Sequence, residues 1–245
     1  MKRFAILLGH ADGQLSTNKD LFRMEKFLKS DRGGAWYTSE IHSEINISLH
    51  RLSILLNQVR NNHYDYVLLY FSGHGGYKRS TVIELNPKGE TVSEQFLSGL
   101  AFRQLNIFDC CRAPLQELSE ESMSAISFSN RPDSCAIRKL YDKRIMSASK
   151  QQMSLYSCSI GECSYDFGAG GIFTTHFLES TNNFFGDYLL VSQAYVASCA
   201  PTLREAQVHG KTQTPDLFMA KLPVANQLII AVNDMPCRSN EYFNY

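Results

Sequence analysis

Short, almost wholly apolar runs alternate along this chain with stretches in which apolar positions recur every three or four residues. Residues 3–9, 66–71, 104–109 and 228–232 read as strands buried on both faces, because such strands lose the in–out alternation of half-exposed ones. Residues 35–38, behind Gly33-Gly34, and residues 144–149 bring the number of strands to six. Between them lie helical periods. Thr17-Asn18-Lys19-Asp20 supplies a capping hydroxyl with a carboxylate three residues on, ahead of Leu21, Met24, Phe27 and Leu28. A second helix carries Ile45, Leu49, Leu52, Leu55, Leu56 and Val59. A short third helix covers residues 93–100, a fourth opens from the glycines of residues 168–171, and a fifth runs through Leu189, Val191, Ala194, Tyr195 and Ala197. Residues 81–89 read as a small hairpin and residues 212–216 as an extended connection set by Pro215. Residues 113–143 show no clear period and are expected to form a long surface loop, with a helical turn near 115–126. Strand and helix in this order predict one α/β domain with a mostly parallel six-stranded sheet and helices on both faces.

Composition narrows the classes. The 24 basic residues are matched by 24 acidic ones, and no basic tract stands out, so neither a nucleic-acid partner nor an anionic membrane is expected. The seven cysteines lack any CxxC spacing, which argues against a disulfide framework or a zinc ribbon and for a reducing compartment. Met1-Lys-Arg and the apolar residues 4–8 look briefly like a leader, but Gly9-His10-Ala11-Asp12 interrupts them too soon. A cytoplasmic location is the expectation. No metal-binding spacing of the EF-hand kind occurs, so no metal ligands are nominated.

The chemistry gathers at the ends of two of the buried runs. Residues 66–71 deliver Ser72-Gly73-His74-Gly75-Gly76, and residues 104–109 deliver Cys110-Cys111-Arg112. In parallel sheets, reactive groups collect outside the carboxyl ends of the strands. A thiol is mostly protonated near neutral pH, so a nucleophilic cysteine needs a base, and an imidazole can both take that proton and return it to a leaving amine. The 37 residues between His74 and Cys111 leave room for a crossover helix joining adjacent parallel strands. The backbone N–H groups of Gly75 and Cys111 are the natural donors to a developing oxyanion. Cys110, still inside the strand end, reads as a packing residue. No G-x-S-x-G elbow competes with this arrangement.

Ser72-Gly73-His74-Gly75 together with Asp109-Cys110-Cys111-Arg112 resembles the caspase–metacaspase family of cysteine proteases (clan CD, peptidase C14). Leu15 to Leu28 is similar to the family's first helix, Ile145 to Ser149 to the strand that opens its small-subunit region, and Gly170-Gly171-Ile-Phe-Thr174 and Gln213-Thr-Pro215 to two further signatures there. The resemblance runs from about residue 3 to 232 and implies a caspase-like sandwich fold and peptide hydrolysis by a His74/Cys111 dyad. It divides the single domain of residues 1–245 into a large-subunit-like region (1–112), an intersubunit-type loop (113–144), a small-subunit-like region (145–233) and a tail (234–245). It also implies that Asp20, Ser72 and Asp109 line the primary specificity pocket.

Two carboxylates in such a pocket favour Arg or Lys at the residue before the scissile bond, through charge-assisted hydrogen bonds. The plainer roles are a helix cap for Asp20 and a turn tie for Asp109. Arg138, Lys139 and Arg144 are then the candidate self-cleavage points in the basic part of the 113–144 loop. Arg112-Ala113-Pro114 departs from the His-Ser-Gly usual in metacaspases. Protein or peptide substrates are the expected partners. An activating partner, a nucleotide-like signal molecule or calcium is a further expectation, as is a role as an effector of prokaryotic defence or cell death. The alternative is a catalytically silent module that binds a partner or small ligand.

Overall fold

In the computed structural model, which describes residues 1–11, 15–114, 135–168 and 170–233, the elements follow in the order β1 (Arg3–Gly9), α1 (Leu15–Lys29), β2 (Ile41–Ile45), α2 (Leu49–Asn61) and β3 (Tyr66–Ser72). Three short strands come next, β4 (Gly75–Tyr77), β5 (Thr81–Glu84) and β6 (Thr91–Ser93), and then β7 (Arg103–Asp109). The remainder is α3 (Cys135–Ser147), β8 (Gln151–Tyr156), α4 (Ile172–Ser180), β9 (Tyr188–Leu190), α5 (Val191–Val208), β10 (Asp216–Phe218) and β11 (Ile229–Val232).

The central sheet has six strands in the order β10-β8-β7-β3-β1-β2, parallel except for β10, which runs antiparallel to β8. Every residue of β3 is buried, as its unbroken apolar run requires of a strand covered on both sides. One face carries α2, whose Leu52, Leu55, Leu56 and Val59 form a single stripe against Ile6, Leu8, Val67, Leu69 and Phe71. Ser48 caps this helix by accepting from the Arg51 N–H. The other face packs α1, α3, α4 and α5 over Ala5, Leu7, Leu68, Tyr70, Leu105 and Ile107.

The six-stranded architecture agrees with the pattern, but three of its strands lie elsewhere. Residues 35–38 are not a strand: Ala35 has φ +50°, and the Trp36 indole donates to the Gly33 carbonyl at 3.0 Å. The edge strand is β2, whose polar residues hid it inside the second helical period. Residues 144–147 close helix α3, and Ile145 and Ala148 are both buried. The strand follows as β8. Residues 228–232 do contain a strand, β11, but it pairs with β9 in a separate two-stranded sheet. The sixth strand of the main sheet is β10, at the end of the expected extended connection. No α-helix joins β3 to β7; the three-stranded sheet of β4, β5 and β6 fills that interval with a short 3-10 helix, Glu94–Leu97, where the third helix was expected, and Ile83 and Val92 join the α2 face. The expected helical turn at 115–126 and the tail at 234–245 lie outside the described residues.

Candidate active site

Strands β3 and β7 are paired in register from Tyr66 and Arg103 to Ser72 and Asp109. The chains leaving them stay side by side. The Gly73 N–H donates to the Asp109 carbonyl at 3.1 Å, and the Tyr77 N–H donates to the Ala113 carbonyl at 2.8 Å. His74 and Gly75 on one chain are therefore held next to Cys110 and Cys111 on the other. Gly73 makes the exit turn with φ +146°, where a Cβ would lie 2.8 Å from the His10 Cβ. Gly75 lies so close to Cys110 that a Cβ there would sit 2.8 Å from its Sγ. The His74 ring meets the buried His10 ring edge-on, with centroids 4.8 Å apart, and His10 Nδ1 is 3.8 Å from Glu84 Oε2. The Glu84 N–H in turn donates to the His74 carbonyl at 3.0 Å.

Cys111 is half-buried, and its thiol points to the Ser164 carbonyl at 3.7 Å. Burial, and next the adjacent Cys163 thiol, push the Cys111 thiol up to about 12. At rest it is a thiol, so attack requires a base. Cys110 is buried and its thiol raised further by desolvation, consistent with a packing role. The residue behind Cys111 explains the unusual Arg112-Ala113-Pro114. The Arg112 guanidinium is buried, stacks 3.9 Å over Tyr156, and donates to Thr81 Oγ1, the Cys158 carbonyl and Asp216 Oδ2 at 3.1–3.2 Å. Its backbone also donates to Glu162 O and accepts from the Gly161 N–H, both at 2.9 Å. Arg112 thus staples the cysteine loop to the 158–162 loop and to β10.

Beneath these groups lie the two carboxylates. Asp20 is not a helix cap: it is the sixth residue of α1, buried, and reaches across to accept from Ser72 Oγ at 2.9 Å and from the Gly171 N–H at 3.0 Å. Asp109 does more than tie its own turn. It accepts from Ser164 Oγ at 2.5 Å and from the Thr174 hydroxyl and N–H at 2.6 and 3.1 Å, while Tyr70 OH meets the same hydroxyl at 2.7 Å. Burial, then the neighbouring Asp109 charge, raise Asp20 to about 7; burial also raises Asp109, against the pull of its hydrogen bonds to Ser164 and Thr174. Asp20, Ser72 and Asp109 are thus brought together by α1, β3 and β7 at one end of the sheet. Burial and mutual repulsion thus oppose ionising both carboxylates at once.

Arg138, Lys139 and Arg144 are not part of this cluster, and they are not in a loop. All three lie on α3. Arg138 stacks 4.0 Å over Tyr37 and pairs with Glu40, which also pairs with Arg3 at the start of β1, the opposite end of the sheet. Arg144 stacks 4.5 Å over Tyr188 and donates to the Val224 carbonyl at 3.3 Å. A helical backbone with anchored side chains would have to unwind before it could be cut.

Sequence reasoning missed Ser164, Thr174, Gln213 and Cys163. Gln213, fully buried, donates to Ser164 Oγ and the Ser157 carbonyl and accepts from the Tyr165 N–H. It therefore holds the loop that orients Asp109. Thr174 and Gln213 stand inside the two downstream signatures, which gives those signatures a physical meaning. Among the described residues no group of three or more His, Cys, Asp or Glu side chains could hold a metal ion, and no helix is long and apolar enough to cross a membrane.

A family model described as a caspase domain (peptidase C14) matches residues 2–223. No curated protein matched the sequence. Among solved structures, protein GSU0716 from Geobacter sulfurreducens is similar with a TM-score of 0.59 and 17% identity, over 95% of this chain and 99% of that one. Caspase-1 from Spodoptera frugiperda is similar with a TM-score of 0.58 and 13% identity, over 89% of this chain and 86% of that one. At these identities the two neighbours share the fold.

Proposed function

Because the chain belongs to the caspase-domain family, we propose that it is a cysteine endopeptidase that cleaves after Arg or Lys. In this reading His74 takes the Cys111 proton as the thiol attacks the scissile carbonyl, and returns it to the leaving amine. The N–H groups of Gly75 and Cys111 receive the oxyanion. Asp20 and Asp109, oriented by Ser72, Ser164 and Thr174, bind the cationic side chain, whose charge lets both carboxylates ionise. The observation that carries this reading is the in-register pairing of Ser72 with Asp109, which brings the chain segments bearing His74 and Cys111 side by side at the strand end where two carboxylates are buried.

A second reading, a silent module that binds a partner, is favoured by one observation. The Gly171 N–H closes onto Asp20 at 3.0 Å. A resting state opened by a partner, a small signal molecule or calcium reconciles the two readings, and fits an effector of prokaryotic defence or cell death. The test is a digest of a denatured protein mixture by wild type, Cys111→Ala and His74→Ala, with and without calcium, with new N-termini read by mass spectrometry. Cuts after Arg or Lys made by wild type alone are expected. Cuts after other residues would discard the pocket, and cuts that persist in Cys111→Ala would discard the nucleophile.

A further inference from the structure

The mechanism above leaves a second thiol unused beside the nucleophile. Arg112 exchanges backbone hydrogen bonds with Gly161 and Glu162, so the next pair outward, Cys111 and Cys163, face each other across two anchored chains. Both are half-buried, so a small solute can reach them. The Cys111 Sγ already points at the carbonyl of Ser164, the residue that follows Cys163. The other two nearby thiols are poorly placed. Cys110 is buried in the strand end, and the buried Cys158 thiol is turned to the carbonyls of Cys110 and Glu162 at 3.3 and 3.4 Å.

We infer that Cys163 is a resolving cysteine, and that Cys111 and Cys163 form a reversible disulfide that shuts off the nucleophile under hydroperoxide. His74 takes the Cys111 proton, and the thiolate attacks one peroxide oxygen. An S–O bond forms, the O–O bond breaks, and the leaving hydroxide is protonated to water. The Cys163 sulfur then attacks the Cys111 sulfenic sulfur, with loss of its own proton. The S–S bond forms, the S–O bond breaks, and a second water leaves. Two thiols and one hydroperoxide thus give one disulfide, one water, and the alcohol or water derived from the peroxide. A dithiol reductant reverses the lock. Without Cys163 the sulfenic acid is exposed to further, irreversible oxidation.

The inhibitory consequence rests on the reading of Cys111 as the nucleophile; the bond itself does not. The full chain is reduced, desalted, treated with hydrogen peroxide and mapped without reduction. The expected product has lost about 2 Da and carries one linked peptide joining Cys111 to Cys163, both reversed by dithiothreitol. In Cys163→Ser and Cys163→Ala, Cys111 instead gains about 32 Da as sulfinic acid and is not recovered. Peptidase activity, followed in parallel, is lost and regained in wild type but permanently lost in the variants. A Cys111–Cys158 link, no link, or equal recovery in the variants would overturn the inference. A Cys111–Cys163 link in a protein that never cleaves peptides would keep it and sink the peptidase reading instead.

Discussion

Replacing Asp20 by Asn tests the acidic pocket through its own ionisation. With the pocket empty, Asp20 is raised from 3.8 to about 7 by burial and by Asp109. Ionising Asp20 there therefore costs on the order of 4 kcal/mol more than in water, first for burial and then for the Asp109 charge. A bound guanidinium reverses this, because an opposite charge favours the ionised form. The observable is kcat/KM for a peptide with Arg before the scissile bond, divided by that for its uncharged citrulline analogue, measured from about pH 5.5 to 8.5. Taking the ratio cancels any pH dependence common to both substrates, and kcat/KM reports the free enzyme. In wild type the ratio should rise with pH through an apparent value near 7 that belongs to the carboxylate pair. Loss of one charge-assisted hydrogen bond costs about 1.5–3 kcal/mol, so the rise should be roughly ten- to a hundredfold. Asp20→Asn should sit at the low-pH wild-type ratio at every pH. A wild-type ratio that is flat with pH, or a variant that keeps the high ratio, would refute the reasoning.

The same carboxylate makes a statement about stability. Folded Asp20 holds its proton more tightly than unfolded Asp20, so the folded state binds more protons between about pH 4 and 7 and loses stability as pH rises across that window. Urea unfolding at about pH 5 and pH 8 should show that fall in wild type and a smaller one in Asp20→Asn. Gly171→Ala would drive a methyl group into the Asp109 carboxylate, and should destabilise by about 1–3 kcal/mol and abolish cleavage after Arg; an unchanged unfolding midpoint would count against the packing described. Arg112→Lys keeps the charge but cannot serve Thr81, Cys158 and Asp216 together from the Tyr156 face, so thermal unfolding should show a loss of about 1–3 kcal/mol and kcat/KM should fall as the cysteine loop loosens. Wild-type behaviour would mean the staple is dispensable.

The local sequence was sufficient for elements whose residues see the same environment from end to end. β1 and β3 are nearly continuous apolar runs because both of their faces are covered, β7 keeps Leu105, Ile107 and Phe108 buried among the polar Gln104, Asn106 and Asp109, and the glycines beside His74 mark the turn that ends β3. The alignment of Ser72-Gly73-His74-Gly75 with Asp109-Cys110-Cys111-Arg112 was legible for the same reason, since two parallel strands of equal length bring their carboxyl ends level. Elements with mixed surroundings were not legible. β2 is an edge strand broken by polar residues and β10 an edge strand of three residues, and the residues that close α3 form a short β-like run whose Ile145 and Ala148 turn inward only because a helix face packs there. Roles that depend on contacts across long sequence separations belonged to the tertiary structure alone. The grouping of Asp20 with Ser72 came only from the family resemblance, and nothing near Asp20 in sequence says that it will reach from α1 to Ser72 and Gly171. Nothing near Arg112 says that it will be a buried staple rather than part of the site, or near Cys163 that it will face Cys111. Burial and proximity, which set the charge state of each of these groups, arise only when strands and loops far apart in the chain are packed against one another.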